Sequence, residues 1–462
     1  MDSFFNSLNE FFLVFEDILT NYVLVYFLIG AGIFLTVKLS FPQILRIKTA
    51  FKQIGRKLNG GLNSKSGISS FEALATAIAA QVGTGNVAGV ATAIASGGPG
   101  AVFWMWVSAI LGMSSIFSET VLSQIYKTNR DGETVSGPAY YISKGLNMKF
   151  LAVFFAISMI IAGGITGNMV QSNSIAESVN GAFNLPNYVT GITVAFFVAL
   201  VIFGGVKRIS SFASKIVPLM SVIYIVSGII ACVIFRNHLL EAIQLIFKGA
   251  FKIESVGGAF AGITVKNAMR YGIARGLYSN EAGMGTTPHV HGVANVNHPV
   301  EQGLIAMIGV LVDTILVCTS TALIILTTES YKIPGLKGVV VTQAAFNMIF
   351  GTFGKSLLAI CLVFFAFTTI MGWAYFGESN VRYLFGNKGI GIYRITVIIF
   401  IIAGSLSKVS FVWRLQDVLN VLMAIPNLIG VLLLSSQVKK VLKDYDNCVE
   451  KGLIKYDYIY DK

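Results

Sequence analysis

The sequence predicts an all-α integral membrane protein of about eleven transmembrane helices. One extra N-terminal helix precedes a core of two inverted five-helix repeats, a 5+5 arrangement in which each repeat begins with a broken helix. Three observations lead to this prediction: the composition, the positions of the basic residues, and two apolar stretches interrupted by glycine. Of 462 residues, 55% are hydrophobic and 12% are charged, whereas about a quarter of a soluble domain is charged.

Eleven apolar stretches are long enough to cross a bilayer at about 20 residues per span. They lie at 20–38, 71–97, 99–126, 149–177, 187–205, 213–235, 258–285, 301–327, 354–384, 390–406 and 411–436. Two connections, 236–257 and 328–353, are expected to contain short amphipathic helices, acting as lids or simply lying at the membrane interface.

These spans divide the chain into three predicted parts. The parts are an N-terminal peripheral helix with a basic loop (1–70), a membrane core (71–436, with repeats 71–235 and 258–436) and a cytoplasmic tail (437–462). The tail mixes Lys with Asp and Glu and is expected to be a solvated helix.

Basic residues orient the chain in the membrane. The loop after the first span carries seven of them before the next acidic residue, Glu72: Lys38, Arg46, Lys48, Lys52, Arg56, Lys57 and Lys65. Basic loops remain in the cytoplasm, so the N-terminus is predicted outside and the C-terminus inside, in the plasma membrane. The net charge of +12 then suits an anionic lipid leaflet, and no nucleic-acid partner is expected.

The two interrupted stretches are the most informative feature. Gly83 and Gly85 break the second span, and the run SNEAGMG (279–285) breaks the seventh. Irregular backbone at membrane depth survives only where it is buried in protein or lines a cavity. Matching breaks in two halves of opposite orientation are typical of secondary transporters, which bind their cargo at these points.

Backbone N–H groups freed at the first break would favour an anion. Those of Gly83, Thr84 and Gly85 begin the second half-helix, whose N-terminal dipole attracts a carboxylate. The alternative is that these glycines only permit close helix packing. The run from Gly83 to Ala88 also matches a dinucleotide fingerprint, but that motif needs a βαβ unit and is rejected here.

Other classes of function find little support in the sequence. It contains no phosphate-binding lysine motif, no HExxH and no convincing nucleophile–base pair, so neither an enzyme nor an ATP-driven pump is expected. His289, His291 and His298 lie close together in a predicted cytoplasmic loop, but a metal site there is disfavoured. No catalytic residue and no cofactor is predicted, and the sequence makes no prediction about oligomeric state.

Several blocks of sequence resemble a known family. They are VGTGNVAGVATAI (82–94), GGPGAVFWMWVSAILG (97–112), VSGPAYYI (135–142), RGLYSNEAGMG (275–285) and GWAYFGE (372–378). In this order they resemble the alanine or glycine:cation symporter family, the sodium:alanine symporters. The resemblance implies a leucine-transporter-like fold within the amino acid–polyamine–organocation superfamily. It also implies alternating-access symport of sodium with small neutral amino acids, alanine and glycine, into the cell.

The resemblance also implies ion-binding residues. One sodium site would join the backbone carbonyls of Ala79, Val82 and Phe365 to the hydroxyls of Thr368 and Thr369. Adjacent threonines can instead bond back to their own helix. Asn86 is a candidate for a second cation site.

The expected substrate-binding residues come from both breaks and from two facing spans. They are Gln81, Gly83, Thr84, Gly85, Gln171, Tyr278, Ser279 and Trp373. Gln171 would accept from the substrate ammonium, brace the broken helix or form a helix–helix hydrogen bond, whereas Tyr278 and Trp373 would cap the pocket or simply pack.

Buried carboxylates leave other forms of transport open. Glu281 would hold the unwound backbone or pair with a basic group as a gate, since charge in a membrane is functional by default. A proton-coupled carrier, with Glu281 or Asp313 as the proton site, is the nearest alternative. An ion channel is a second, less favoured alternative.

Overall fold

The computed structural model describes residues 19–59, 68–251 and 265–451. Several predicted features therefore lie wholly or partly outside the described residues. These are the start of the seventh span (258–264), the end of the first long connection (252–257), Lys65 and the last part of the tail (452–462).

The described chain is almost entirely helical. Its α-helices are α1 Val25–Lys38, α2 Pro42–Leu45, α3 Ile47–Asn59, α4 Ser70–Gln81, α5 Val90–Gly97, α6 Ala101–Ile125, α7 Pro138–Gly145, α8 Lys149–Ile161, α9 Asn168–Phe183, α10 Asn187–Ile202, α11 Gly205–Ile234, α12 Arg236–Phe251, α13 Val265–Asn280, α14 Pro288–His291, α15 Pro299–Val310, α16 Thr319–Thr327, α17 Val339–Phe350, α18 Thr352–Phe385, α19 Ile390–Leu406 and α20 Val409–Glu450. Strands β1 Thr128–Arg130 and β2 Glu133–Val135 form an antiparallel hairpin in which Asn129 is opposite Thr134.

Turns of π-helix join or precede several of these helices. They span Leu19–Leu24, Gly85–Gly89, Ala162–Gly167 and Leu311–Cys318, and short 3₁₀ turns cover Ser330–Lys332 and Gly386–Gly389. Wide turns of this kind are frequent at functional sites.

The helices form a multi-pass membrane protein. Within the part of the chain that the structure describes, six helical runs are long and apolar enough to cross a bilayer, or seven if the bent pair α4 and α5 counts as one span. Shorter apolar helices, among them α1 and α10, add to these. The number of spans, their inverted repetition and their orientation remain predictions.

Burial is distributed as a lipid environment requires. Large apolar side chains such as Phe196 and Ile229 are exposed on the outside of the bundle, whereas polar side chains such as Asn86, Glu119 and Asp313 are fully buried. Buried polar groups need hydrogen-bond partners. The buried polar side chains of the interior are therefore the candidates for function.

The first broken helix has a well-defined beginning. The Ser69 side chain accepts from the backbone N–H of Glu72, and the Glu72 carboxylate accepts from the N–H of Ser69. This reciprocal capping box fixes the start of α4. A parallel bridge between Ile68 and Ala294 ties this start to the segment that follows the second break.

The two long connections contain helices, α12 and α17, as predicted. The tail, however, does not match the expectation of a solvated helix. Helix α20 runs on past residue 436, and it buries Val438, Val441 and Tyr445 against the rest of the protein. The expectation was wrong because one apolar stripe is hidden among the charges of the tail.

Candidate functional site

At the first break, three backbone carbonyls meet one hydroxyl. Thr369 Oγ1 of α18 lies 3.1 Å from the carbonyl oxygen of Ala79, 3.2 Å from that of Val82 and 3.0 Å from that of Phe365. Thr368 Oγ1 lies 2.9 Å from the Phe365 carbonyl oxygen. The structure thus brings Thr369 to the carbonyls of Ala79, Val82 and Phe365, whereas the contact of Thr368 is with the Phe365 carbonyl of its own helix.

The chain can approach so closely only because position 83 is glycine. Val82 is extended, with φ −78° and ψ 98°, so its carbonyl leaves the axis of α4 and becomes available to Thr369. A Cβ atom on Gly83 would lie 2.5 Å from Thr369 Oγ1. A side chain at position 83 would therefore displace the Thr369 hydroxyl from the break.

This cluster contains more hydrogen-bond acceptors than donors. A hydroxyl carries one hydrogen, so Thr369 cannot satisfy three carbonyl oxygens at the same time. The Phe365 carbonyl belongs to α18, the same helix as Thr369. The contact between these two residues corresponds to the alternative in which a threonine bonds back to its own helix. The other two carbonyls belong to α4, and the result is a concentration of neutral oxygen acceptors in a buried place.

A second polar cluster surrounds Asn86. The Asn86 Oδ1 atom accepts from the backbone N–H of Gly83 at 2.8 Å, and its Nδ2 atom donates to Asp313 Oδ1 at 2.6 Å. Ser279, at the second break, donates to the same carboxylate at 2.9 Å, and Thr314 donates to it at 2.7 Å. One carboxylate therefore connects both breaks through neutral donors.

The π turn Leu311–Cys318 shapes this second cluster. A π turn closes i→i+5 hydrogen bonds, which brings Asp313 and Cys318 to the same side of the helix. Cys318 Sγ lies 3.3 Å from Asn86 Nδ2 and 3.2 Å from Ser279 Oγ. Sequence reasoning included Asp313 only as a possible proton site and missed Cys318 altogether.

The predicted substrate-binding residues already have partners of their own. The backbone N–H of Thr84 donates to Gln171 Oε1 at 3.1 Å, which matches the bracing role considered for Gln171. Gln81 Nε2 donates to the carbonyl of Asn280 at 2.7 Å and so links the two breaks. The two half-helices are close here, since a Cβ atom on Gly85 would lie 3.1 Å from Ser279 Cα.

Three buried polar atoms in this region are short of partners. Gln81 Oε1 has no hydrogen-bond partner among the described residues, and the hydroxyls of Thr84 and Tyr278 have at most each other. Buried polar atoms are normally paired. Unpaired acceptors gathered at two helix breaks indicate a place for a polar ligand.

The second break is held differently. It spans residues 281–287 and includes left-handed backbone at Glu281, Gly283 and Gly285. The Glu281 carboxylate accepts hydrogen bonds from Trp373 Nε1 and from Thr286 Oγ1. Both donors are neutral, so the contacts of Glu281 fit the support of unwound backbone and not the gating pair with a basic group.

Trp373 contributes to that support. Its indole N–H is engaged by Glu281, and its ring centroid lies 6.3 Å from that of Tyr278. The two aromatic residues thus lie side by side between the breaks. Tyr278 is closer to another ring that the sequence did not single out, that of Trp413, at 4.9 Å.

A polar brace on the last helix completes the second break. Asn427 Nδ2 donates to the carbonyl oxygen of Gly283 at 2.9 Å and also to Glu119. Tyr141 donates to Asn427 Oδ1. Sequence reasoning missed Asn427, although an amide within an apolar stretch is a signal that could have identified it.

An ion pair lies before the second break. Arg275 donates to both carboxylate oxygens of Asp417, at 2.8 Å and 2.7 Å, and its guanidinium lies 5.0 Å from the centre of the Trp413 ring. The two charged side chains are only 12% and 11% exposed. The arrangement places a bidentate pair directly beside Tyr278.

The three histidines have separate partners. His289 contacts the Thr286 carbonyl oxygen at 2.7 Å, and His291 contacts Gln302 at 2.8 Å. His298 Nδ1 accepts from a backbone N–H at 3.1 Å. Burial lowers the pKa of His289 to about 4 and that of His291 to about 3, so both rings are neutral at pH 7. Among the described residues, no group of three or more His, Cys, Asp or Glu side chains could hold a metal ion.

Known proteins resemble the chain over nearly all of its length. The model of the sodium:alanine symporter family matches residues 5–458. The sodium/alanine symporter AgcS of Methanococcus maripaludis is 42% identical over 427 residues, which cover 91% of this chain and 93% of that protein. The amino-acid carrier protein AlsT of Bacillus subtilis is 42% identical over 457 residues, covering 98% and 95%.

Solved structures share the fold at low sequence identity. The crystal structure of MhsT in complex with L-phenylalanine has a TM-score of 0.62 and 13% identity, and the match covers 80% of this chain and 90% of that one. The manganese transporter of Eremococcus coleocola has a TM-score of 0.51 and 11% identity, with 84% and 81% covered. These likenesses confirm a leucine-transporter-like fold.

Proposed function

We propose that this chain, which belongs to the sodium:alanine symporter family, couples the entry of sodium to the uptake of small neutral amino acids by alternating access. The family consists of transporters, so the predictions of a symporter and of no enzymatic activity are confirmed. Alanine and glycine are the proposed substrates. One relative is named as a probable sodium/glutamine symporter and is 41% identical over 440 residues. The size of the substrate side chain is therefore the property that the experiments below must establish.

The observation that carries the proposal is the convergence of carbonyls on Thr369. Hard cations bind oxygen ligands, and this cluster offers five: the carbonyls of Ala79, Val82 and Phe365 and the hydroxyls of Thr368 and Thr369. All five are neutral, which suits a monovalent ion. Bound sodium would supply the positive charge that the surplus acceptors lack.

Asn86 and Asp313 would hold a second cation. The carboxylate is fully buried, and among the described residues its hydrogen-bond donors are neutral groups such as Asn86 and Ser279. An ionised carboxylate in a membrane needs a compensating charge. A cation would provide it and would tie the two breaks together; a proton would do the same in the alternative mechanism.

The unpaired acceptors are the proposed contacts of the substrate ammonium. They are Gln81 Oε1 and the hydroxyls of Thr84 and Tyr278. The substrate carboxylate would occupy the start of the second half-helix. Since the N–H of Thr84 is bound to Gln171, the carboxylate would have to displace that amide.

The separation of the two breaks limits substrate size. Gly85 lies close to Ser279 Cα and to the Tyr278 ring, and so tight an approach favours a small substrate side chain over a large one. Sodium and substrate would together stabilise one arrangement of the broken helices. Differential binding between the outward and inward states then couples the two fluxes, and the sodium gradient drives transport.

Uptake into proteoliposomes tests the proposal. Radiolabelled alanine should accumulate against its gradient when sodium is imposed outside, and should only equilibrate without sodium. Accumulation driven by a pH gradient in the absence of sodium would replace sodium with a proton as the coupling ion. Saturable uptake of glutamine in preference to alanine would overturn the proposed substrate class.

A further inference from the structure

A short helical corner follows the first predicted span. Left-handed backbone at Ser40 and Phe41 turns the chain from α1 into α2 and then into α3. The side chains of Phe41, Ile44 and Leu45 at this corner are 45%, 62% and 68% exposed. Large apolar side chains are therefore grouped on the surface immediately beyond the end of α1.

Helix α3 has two distinct faces. Ala50 is fully buried and Ile54 packs against the protein interior. Lys48, Phe51 and Lys52, spaced i, i+3 and i+4, lie together on the opposite face, and all three are exposed. The outer face thus combines one large ring with two cations.

The inner face is firmly docked. Gln53 Nε2 donates to the Tyr445 hydroxyl of the tail at 3.1 Å. Before it, Gln43 donates to Thr36 at 2.9 Å and accepts from Ser114 at 2.7 Å. Helix α3 also packs against α15 and α4. The exposure of the outer face is therefore a property of a fixed helix.

The charge of the outer face is uncompensated. No Asp or Glu occurs between residues 39 and 71, and Arg46 is already paired with Asp446 at 2.6 Å. Neither Lys48 nor Lys52 forms an ion pair with any acidic side chain in the described ranges. The surface therefore has a positive charge available for an external partner.

We propose that Lys48, Phe51 and Lys52 form a docking surface for the anionic phospholipid headgroups of the bilayer. Basic residues beside apolar ones on an amphipathic helix are typical of binding at the headgroup level. The neighbouring surface favours lipid over an acidic protein, since large apolar side chains are exposed both on α1, at Phe34 and Val37, and at the corner, at Ile44 and Leu45. This inference does not depend on which substrate is transported.

Headgroup binding would affect the transport core through α3. That helix packs against α4, the first half of the broken helix, and against α15, which leads into the π turn that carries Asp313. A lipid that holds the outer face would keep α3 docked on both. Anionic lipid should then be needed for the full rate of transport.

Lipid retention measures the docking surface directly. Purified protein is incubated with phosphatidylglycerol or phosphatidylcholine, and retained lipid is counted by native mass spectrometry. Each surface lysine contributes about 1 kcal/mol with anionic lipid, which is about fivefold in affinity. Lys48→Gln/Lys52→Gln should therefore bind phosphatidylglycerol about thirtyfold more weakly, with phosphatidylcholine binding unchanged.

A matched pair of lysines serves as the control. Lys207→Gln/Lys215→Gln removes the same charge from exposed positions on α11 and should leave phosphatidylglycerol binding within twofold of wild type. If both double variants lost phosphatidylglycerol binding equally, the lipid would be attracted by the overall positive charge of the protein, and the proposed site would be wrong. Unchanged binding in Lys48→Gln/Lys52→Gln would overturn it outright.

Transport in defined liposomes provides the second readout. Replacing part of the phosphatidylcholine with phosphatidylglycerol should stimulate alanine uptake by wild type but not by Phe51→Ser or Lys48→Gln/Lys52→Gln. Stimulation that persists in both variants would contradict the coupling to α3. A protein that transports nothing in either lipid but still selects phosphatidylglycerol would refute the proposed function and leave this docking surface intact.

Discussion

The two helix breaks differ in what holds them open. The first, at residues 82–84, is held by the neutral groups Thr369, Asn86 and Gln171. The second, at 281–287, is held by the carboxylate of Glu281 and by the pair Glu119 and Asn427. The groups that contact the first break directly are thus neutral, whereas those at the second break include carboxylates, which form the stronger hydrogen bonds.

This difference suggests a division of labour. Neutral hydroxyls and amides can be exchanged for a cation or a zwitterion at little cost, because each such hydrogen bond contributes only about 1 kcal/mol net. Buried carboxylates are costly to leave unpaired. We therefore propose that ligands are exchanged at the first break and that the second break is a fixed frame.

The largest effect is expected where the two breaks share one carboxylate. Asp313→Asn removes the charge that accepts from Asn86 and Ser279. Hydrogen bonds to charged groups are worth roughly 1.5–3 kcal/mol, so sodium activation of alanine uptake should weaken by about 10- to 100-fold. Glu329→Gln, which removes an exposed carboxylate outside both clusters, is the control. Normal sodium activation in Asp313→Asn would remove this residue from the ion site.

Removing the Thr369 hydroxyl should have the next largest effect. Thr369→Val keeps the shape of the side chain and should raise the half-saturating sodium concentration about tenfold, for a loss of roughly 1.4 kcal/mol. Thr369→Ser restores the hydroxyl and should recover wild-type behaviour. The neighbouring Thr368 touches one carbonyl instead of three, so Thr368→Val should shift sodium activation less. An equal shift in the two valine variants would argue for general packing damage.

At the second break, the effect should fall on stability. Glu281→Gln replaces one carboxylate oxygen with an NH2 donor, so either the Trp373 N–H or the Thr286 hydroxyl loses its acceptor. An unsatisfied buried group costs about 1–3 kcal/mol, so Tm in detergent should fall. The half-saturating sodium concentration of the protein that remains folded should stay within twofold of wild type. A large change in sodium dependence with unchanged Tm would reverse the roles assigned to the two breaks.

The smallest effect is expected at the Arg275–Asp417 pair. Arg275→Lys retains the charge but loses the bidentate geometry. Because Lys keeps the charge and can keep one of the two hydrogen bonds to Asp417, the loss should be that of one hydrogen bond, about 1 kcal/mol. Maximal uptake should change by about fivefold or less, with sodium activation unchanged. A variant with altered sodium affinity would place this pair in the ion site.

Sequence predicted the two breaks well because glycine spacing and polarity within apolar stretches are local signals. The grouping of Thr369 with Ala79 and Val82 came from family resemblance, since these residues are 287 to 290 positions apart in the chain. Periodicity could not reveal Cys318. It faces Asp313 only because a π turn replaces the α-helical repeat at this point.

Long-range partners were likewise out of reach. Asp417 lies 142 residues from Arg275, and no local pattern joins the two. Tyr445 of the tail was taken as solvated because its neighbours are charged, yet it is buried and bonded to Gln53. In both cases tertiary packing decides the environment, and packing depends on helices that are distant in sequence.

Equilibrium binding of ²²Na⁺ to the purified protein, without substrate, tests the division of labour most directly. Wild type, Thr369→Val and Glu281→Gln are compared at the same sodium concentrations, each after size-exclusion chromatography to confirm that it is folded. The account predicts that Thr369→Val binds less sodium per protein and that Glu281→Gln binds as much as wild type. Full binding by Thr369→Val together with lost binding by a folded Glu281→Gln would place the ion at the second break and contradict the account.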